Sequence, residues 1–526
     1  MKNVVSGKNG ITARISDVIV LILFAILLLV SALLSIGSLL MTSVVDVNEH
    51  ITLVQDNVVL NLLVVAAFIL VLKYCRRFFR TINPKTAAIV LIAYTSVLGV
   101  LWITASQAVP RADQEVVLNA AAMVANNDYT PFYGDFSYFS LLPHQLGVLF
   151  VFELFTRLFG SGNDTAFTIL NIVWLDAVYI AIIYLVRLIF NSKKIELLTI
   201  LLLFACLQPI LFCTFIYGNL MGLAFSLWAV YFEIRYIKTN KKSLMAVSAA
   251  MITVAVLAKI NCTIVLIAMC IILLLHFLKN HRWFNLAAIA LAAIMSLGLF
   301  GLVQKSYEMR ANVKFDEGIT QVAWAAMGIQ DESTAIYPAS DSFPGWYNRY
   351  PIIVFQYTVG DTESRNAQVM SDIKTRVQYF IDNPAYAIQF FANKTISQWD
   401  EPSFESIWIS QVPYNQAPPH PDWVNSLYYG DLNRGLLQCF DFYVEIIFIG
   451  FAAAMFFAIR KKQGICFFAI PLVVLGGFTY HFLFEAKSQY ILVYFVMMVP
   501  FAAWGYYQLV NLKFEKRKPK EPKPSV

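Results

Sequence analysis

The stretch Ala87-Ala88-Ile89-Val90-Leu91-Ile92-Ala93-Tyr94-Thr95-Ser96-Val97-Leu98-Gly99-Val100-Leu101-Trp102-Ile103-Thr104-Ala105, followed within a few residues by Pro110-Arg111-Ala112-Asp113-Gln114-Glu115, decides the class of fold. The first part is apolar for long enough to cross a hydrocarbon core about 30 Å thick. The second puts two carboxylates, Asp113 and Glu115, at the mouth of that span. Runs of the same kind recur along most of the chain. Of its 526 residues, 59% are apolar and only 14% are charged, against roughly 25% charged in soluble domains. The chain therefore reads as an all-α polytopic membrane protein. Its net charge of +6 does not point to nucleic acid. Lys and Arg cluster beside the spans, where they act as topology signals. Most of the seven cysteines lie in or beside apolar runs without CxxC spacing, which suits buried thiols better than a disulfide framework or a metal site.

The charges set an expected topology. Lys2, Lys8 and Arg14 keep the N-terminus inside, and the run 18–41, too long for a signal-peptide core, reads as a retained anchor. An acidic loop with Asp46, Glu49 and Asp56 then lies outside. The run 58–72 returns to a basic inside loop with Lys73, Arg76, Arg77, Arg80 and Lys85, and 87–105 brings Asp113 to the outer face. Further spans are expected at 166–190, 197–217, 220–234, 244–258, 262–277, 284–303, 442–459, 465–482 and 491–510. That makes about twelve spans with both termini cytoplasmic. The segment 146–159 reads as a short half-inserted or interfacial helix, with a full crossing as the alternative. Four regions follow: an N-terminal transmembrane domain over 1–304 with its outer loop at 106–145, an extracytoplasmic loop region over 305–441, C-terminal helices over 442–510, and a disordered cytoplasmic tail over 511–526. Within 305–441, helical patterns stand out at 371–380 and 386–399. A large ordered loop packed on the membrane domain is expected there. The chain has no evident internal repeat, which argues against transporters built from two related halves.

Four places carry chemistry. Asp113 precedes the helical stripe Val116, Val117, Ala120, Ala121 and Val124, so it reads either as an N-cap or as a general base at the membrane edge. The following stretch, with Tyr133 and then Pro143-His144-Gln145, is polar and aromatic. It suits stacking on a sugar, or an interfacial aromatic belt. Lys259, in Leu257-Ala258-Lys259-Ile260-Asn261, lies between two apolar runs at the outer edge. It reads as a lipid-phosphate contact or as a snorkelling lysine. Phe484-Glu485-Ala486-Lys487-Ser488-Gln489-Tyr490 breaks an otherwise apolar hairpin with charge, which marks a binding site or a structural ion pair. Lys394 and Trp399, in Asn393-Lys394-Thr395-Ile396-Ser397-Gln398-Trp399-Asp400-Glu401, add a lysine near a tryptophan and two acids. The six histidines are scattered, and the chain contains no P-loop, Rossmann fingerprint, HExxH or GxSxG motif. An enzyme of this composition needs an activated substrate delivered through the membrane. Two acids in one loop could hold a divalent cation, although no ligand set is complete.

At these residues the chain resembles the GT-C superfamily of integral-membrane glycosyltransferases, close to the bacterial family 39 and protein O-mannosyltransferase-like group. The resemblance covers roughly 87–510. It is carried by the span followed by Asp113 and Glu115, by Pro143-His144-Gln145-Leu146-Gly147 before an apolar helix ending Leu158-Phe159-Gly160, by the Lys259 turn, and by 484–490 before the last span. It implies a polyprenyl-phosphate sugar donor, no nucleic-acid partner, and an acceptor that is a cell-envelope glycopolymer or a protein. It also implies Asp113 as the base and Lys259 and Lys487 as donor-phosphate contacts. Glu115, Tyr133, His144, Lys394, Trp399, Glu485 and Tyr490 are the further substrate-binding candidates. Gln489 stands where the pattern leads one to expect arginine, and the two spans before Ala87 look like an addition. A single base without a carboxylate nucleophile predicts inversion at the anomeric carbon. The rival classes are a lipid-linked sugar flippase or transporter and a polysaccharide polymerase or ligase. Convergence of Asp113, Lys259 and Lys487 on one outer cavity separates the enzyme from a transport pathway.

Overall fold

The computed structural model describes residues 10–75, 81–331, 342–413 and 419–512. The tail from 513 onward and the topology signals Lys2, Lys8, Arg76, Arg77 and Arg80 lie outside the described residues.

The chain opens with α1 (Ile11–Leu40), a β-hairpin of β1 (Met41–Val45) and β2 (Ile51–Gln55), α2 (Val58–Cys75) and α3 (Pro84–Ser106). Then follow α4 (Asp113–Ala125), α5 (Tyr138–Leu141) and α6 (Leu146–Phe159). Next come α7 (Asp164–Phe190), α8 (Lys193–Ala205), α9 (Gln208–Leu211), α10 (Asn219–Thr239), α11 (Lys242–Ala258), α12 (Thr263–Asn280) and α13 (Phe284–Ala311). The polar region holds α14 (Gln321–Gly328), α15 (Tyr350–Tyr357), α16 (Thr362–Asp382), α17 (Pro384–Trp399) and α18 (Asp422–Tyr429). The chain then returns through α19 (Asp431–Arg460), α20 (Ile465–Leu483) and α21 (Ser488–Val510).

Nine helices among the described residues are long and apolar enough to cross a membrane. The bent pair formed by α8 and 208–214, broken by 51°, makes ten if it is one span, fewer than the twelve expected; the crossings expected at 58–72 and 244–258 are the shorter apolar helices Val58–Tyr74 and Lys242–Ala258. This is a polytopic helical membrane protein. Its local signals are ordinary ones: Asn83 caps α3 by accepting from the Lys85 N–H, with Pro84 at the first helical position. Pro471 and Pro500 sit inside α20 and α21, as neighbouring helices permit in a membrane. On α1, Leu29, Leu33 and Ile36 are exposed while Phe24, Leu27 and Leu34 are buried. The outward apolar side is the lipid face, since lipid tails offer apolar side chains an environment as favourable as a protein core.

Three features refine the expectation. The acidic loop after α1 is a hairpin, paired antiparallel from Met41 with Gln55 to Val45 with Ile51. Helix α6 has 14 residues, about 21 Å at 1.5 Å per residue, and so falls short of a hydrocarbon core. The patterns at 371–380 and 386–399 fall within α16 and α17. The 305–441 region packs on the bundle through specific bonds: Gln398 Nε2 donates to His481 O at 3.2 Å, the Ala486 N–H to Gly345 O at 2.8 Å, and Gln208 Nε2 to Pro402 O at 3.1 Å. It also has a small core of its own, including Ile319, Met327, Tyr350, Val354 and Val369.

Candidate active site

A cavity of about 440 Å³ opens where the α11–α12 turn, the α20–α21 turn, the start of α4, the β-hairpin tip and the 305–441 region meet. Two close approaches set its floor. A Cβ on Gly147 at the start of α6 would lie 2.6 Å from Leu257 O, and one on Gly218 would lie 2.2 Å from Ala258 O. Gly218 also has φ +79°, which a residue with a side chain adopts only under strain. Glycine at both positions lets α6 and the turn before α10 press on the last turn of α11. That contact sets Lys259 beside Tyr217. The ammonium lies 3.7 Å from the centre of the Tyr217 ring and 5.9 Å from that of Tyr490, a cation–π seat. In this turn between two spans, burial lowers the lysine to about 7, and the Asp113 carboxylate works against that shift.

Asp113 is the first residue of α4, and the capping position belongs to Ala112. The N-cap reading of Asp113 is thereby corrected. Its negative charge still suits the helix start, but its side chain faces the cavity. Tyr217 donates its hydroxyl to Asp113 Oδ2 at 3.2 Å and accepts from Gln145 Nε2 at 2.5 Å, with the Tyr138 hydroxyl 3.1 Å away. Ala112 takes φ 52° and ψ −137°, an unfavourable conformation for a residue with a Cβ, of the kind that collects at functional sites. His144 lines the same wall, and burial followed by the Lys259 charge lowers it to about 4, so it is neutral at physiological pH.

The opposite wall is the turn 484–487. Its backbone is tied down from behind by the Lys394 ammonium, which donates to Phe484 O at 2.6 Å, and by Gly345 O. Lys487 forms an ion pair with Glu49 Oε1 at 2.6 Å and sits 5.1 Å from the centre of the Trp408 ring. The Arg111 guanidinium lies 4.2 Å from that ring and donates to Gln411 O at 2.6 Å. Burial opposes the Lys487 charge, but Glu49, Glu405 and Glu485 together outweigh it and hold the ammonium above its ordinary range. Burial raises Glu485 to about 7, against the pull of Lys487. Tyr490 donates to Glu485 Oε2 at 3.4 Å.

Asp113, His144, Lys259, Glu485, Lys487 and Tyr490 thus line one space. The other sequence candidates do not. Glu115 is exposed beyond it, Tyr133 reaches Ala311 O at 3.4 Å, Lys394 is fully buried behind the turn, and Trp399 is buried against Phe478 and Tyr494. Sequence reasoning missed Glu49, Arg111, Tyr217, Trp324, Tyr347 and Trp408, which also line the cavity. Tyr217-Gly218-Asn219 carried a signal, a polar break between two apolar runs; Arg111 stands two residues before Asp113 and Glu49 in the acidic loop after α1, whereas Trp324, Tyr347 and Trp408 lie apart in the 305–441 region with no local signature. Among the described residues, no group of three or more His, Cys, Asp or Glu is placed to hold a metal ion.

Residues 143–300 match the family model of the dolichyl-phosphate-mannose-protein mannosyltransferases. The match includes His144 and Lys259 and agrees with the GT-C resemblance, while Asp113, Lys487 and the 305–441 region lie beyond it. No curated protein matches the chain. Among solved structures, ArnT from Cupriavidus metallidurans bound to undecaprenyl phosphate aligns over 79% of this chain and 77% of that chain, at 13% identity and a TM-score of 0.34.

Proposed function

We infer from the family match and the cavity that this membrane protein moves a sugar from a polyprenyl-phosphate donor to an acceptor hydroxyl of the cell envelope, on the outer face of the membrane. The carrying observation is that Asp113, Lys259 and Lys487, drawn from three separate turns, line one cavity. Its volume falls within the range of small-molecule sites. In this reading Asp113 accepts the proton of the acceptor hydroxyl. The acceptor oxygen bonds to the anomeric carbon as that carbon's bond to the phosphate oxygen breaks, and the electron pair leaves with the polyprenyl phosphate. Lys259 and Lys487 stabilise the charge that grows on the departing phosphate. The transition state is oxocarbenium-like, and a single displacement on the face opposite the phosphate inverts the anomeric centre. What supports Asp113 in this role is that it lines the cavity and is held there by the Tyr217 hydroxyl at 3.2 Å.

The test is transfer from a panel of synthetic polyprenyl-phosphate sugars to extracted envelope polymers and proteins. Asp113→Asn keeps the shape and removes the base, so its rate should fall about 10²- to 10⁴-fold with an unchanged unfolding temperature. Wild-type turnover in that variant would remove Asp113 from the mechanism. A product of retained anomeric configuration would rule out the single displacement.

A further inference from the structure

The cavity lining holds Glu49, Asp113 and Glu485 against Arg111, Lys259 and Lys487, so its formal charges cancel before any substrate enters. A seat for a phosphate should carry surplus positive charge, and here Glu49 is paired with one of the three cations, Lys487. The pair is close, at 2.6 Å, and partly open: the Lys487 side chain is 15% exposed and that of Glu49 30%.

The hairpin is built to deliver this carboxylate. Asp46 and His50 close the strands, with the Asp46 N–H donating to His50 O at 3.1 Å. The Asp46 carboxylate also accepts from the Asn48 and His50 N–H groups at 2.8 and 2.9 Å. That leaves a three-residue turn whose last member, Glu49, sits at φ 68°. A three-residue hairpin loop places its left-handed residue there, where glycine is the comfortable choice. This chain puts glutamate in the strained position and aims it into the cavity. The backbone outlier and the ion pair are independent observations, and both single out one residue.

We propose that Glu49 is the resident anion of the phosphate seat: it pairs with Lys487 while the site is empty, and the donor phosphate displaces it. This rests on the reading of Lys487 as a phosphate contact. Glu49 is a positioning residue, acting through Lys487 and setting how tightly the donor is held. The hairpin between α1 and α2 thereby becomes part of the site.

The experiment measures binding of a polyprenyl phosphate to the purified full chain in nanodiscs, with the matching polyprenol as the uncharged control. Glu49→Gln should bind the phosphate about three- to tenfold more tightly than wild type, the scale expected for freeing a partly exposed ion pair. It should leave polyprenol binding unchanged, and Glu49→Asp should keep wild-type affinity. Lys487→Gln should weaken phosphate binding, and in that background Glu49→Gln should have no further effect. In turnover the gain should appear as a lower KM for the donor. If Glu49→Gln binds phosphate no better than wild type while Lys487→Gln still weakens it, the displacement proposal fails and the phosphate seat stands. If Lys487→Gln leaves phosphate binding unchanged, the reading of the seat itself fails. Thermal unfolding of each variant separates either outcome from misfolding.

Discussion

At the scale of single residues, the site depends on how Asp113 is held. A carboxylate at the first turn of a helix is common, and its charge alone does not fix where its oxygens point. Here Tyr217 does so, because its one proton goes to Asp113 Oδ2 while its lone pair is taken by Gln145. Tyr217→Phe removes that donor and leaves the ring under Lys259. The cation–π seat therefore survives, and the expected loss is in the chemical step: a fall in kcat of about 10-fold, with the donor KM nearly unchanged. A rise in KM with intact kcat would instead make Tyr217 a part of the phosphate seat. Asp113 was legible in the sequence as an acid just past an apolar run. Its partner Tyr217 lies 104 positions away, and nothing in local pattern or propensity links the two.

At the scale of elements, the turn 484–487 carries two opposite charges, Glu485 and Lys487, into the lining of the cavity. Two charges in a short apolar hairpin were visible as an anomaly in the sequence. Their separate environments were not, because Glu49, Glu405, Gly345 and Lys394 all come from elements distant in the chain. Glu485 is partly buried, and Lys487, Glu49, Asp113 and the Tyr490 hydroxyl all act on it. Its folded value, about 7, lies above the ordinary 4.5. A raised carboxyl binds its proton more tightly in the folded state, so this group adds stability that is fully present below about 4.5 and is lost as pH rises through about 7. Glu485→Gln mimics the protonated form at every pH. The unfolding temperature of wild type should therefore fall relative to Glu485→Gln as pH is raised from about 5 to about 9. Parallel curves for the two proteins would mean that Glu485 keeps an ordinary carboxylate affinity for protons.

At the scale of the molecule, apolar runs sufficed to mark the nine helices of the described residues that are long and apolar enough to cross a membrane, because a bilayer demands length and helicity of every crossing. The same rules were blind to the hairpin at 41–55 and to the way α14 and α15 reach the cavity with Gln321, Trp324 and Ile352, neither of which rests on periodicity. The proposed function also requires an orientation: the cavity end must face outward, with the α10–α11 connection in the cytoplasm. Asp135, in the exposed turn beside the cavity wall, and Lys241, exposed between α10 and α11, mark the two ends. In a background with Cys75 and Cys439 replaced by serine, Asp135→Cys should react with a membrane-impermeant maleimide on intact cells. Lys241→Cys should react only after permeabilisation. The exposed Cys439 near the start of α19 gives a native check, since restoring it should bring back labelling on intact cells. The reverse pattern would turn Asp113 toward the cytoplasm, where soluble nucleotide sugars are at hand, and would remove the reason for a lipid-borne donor.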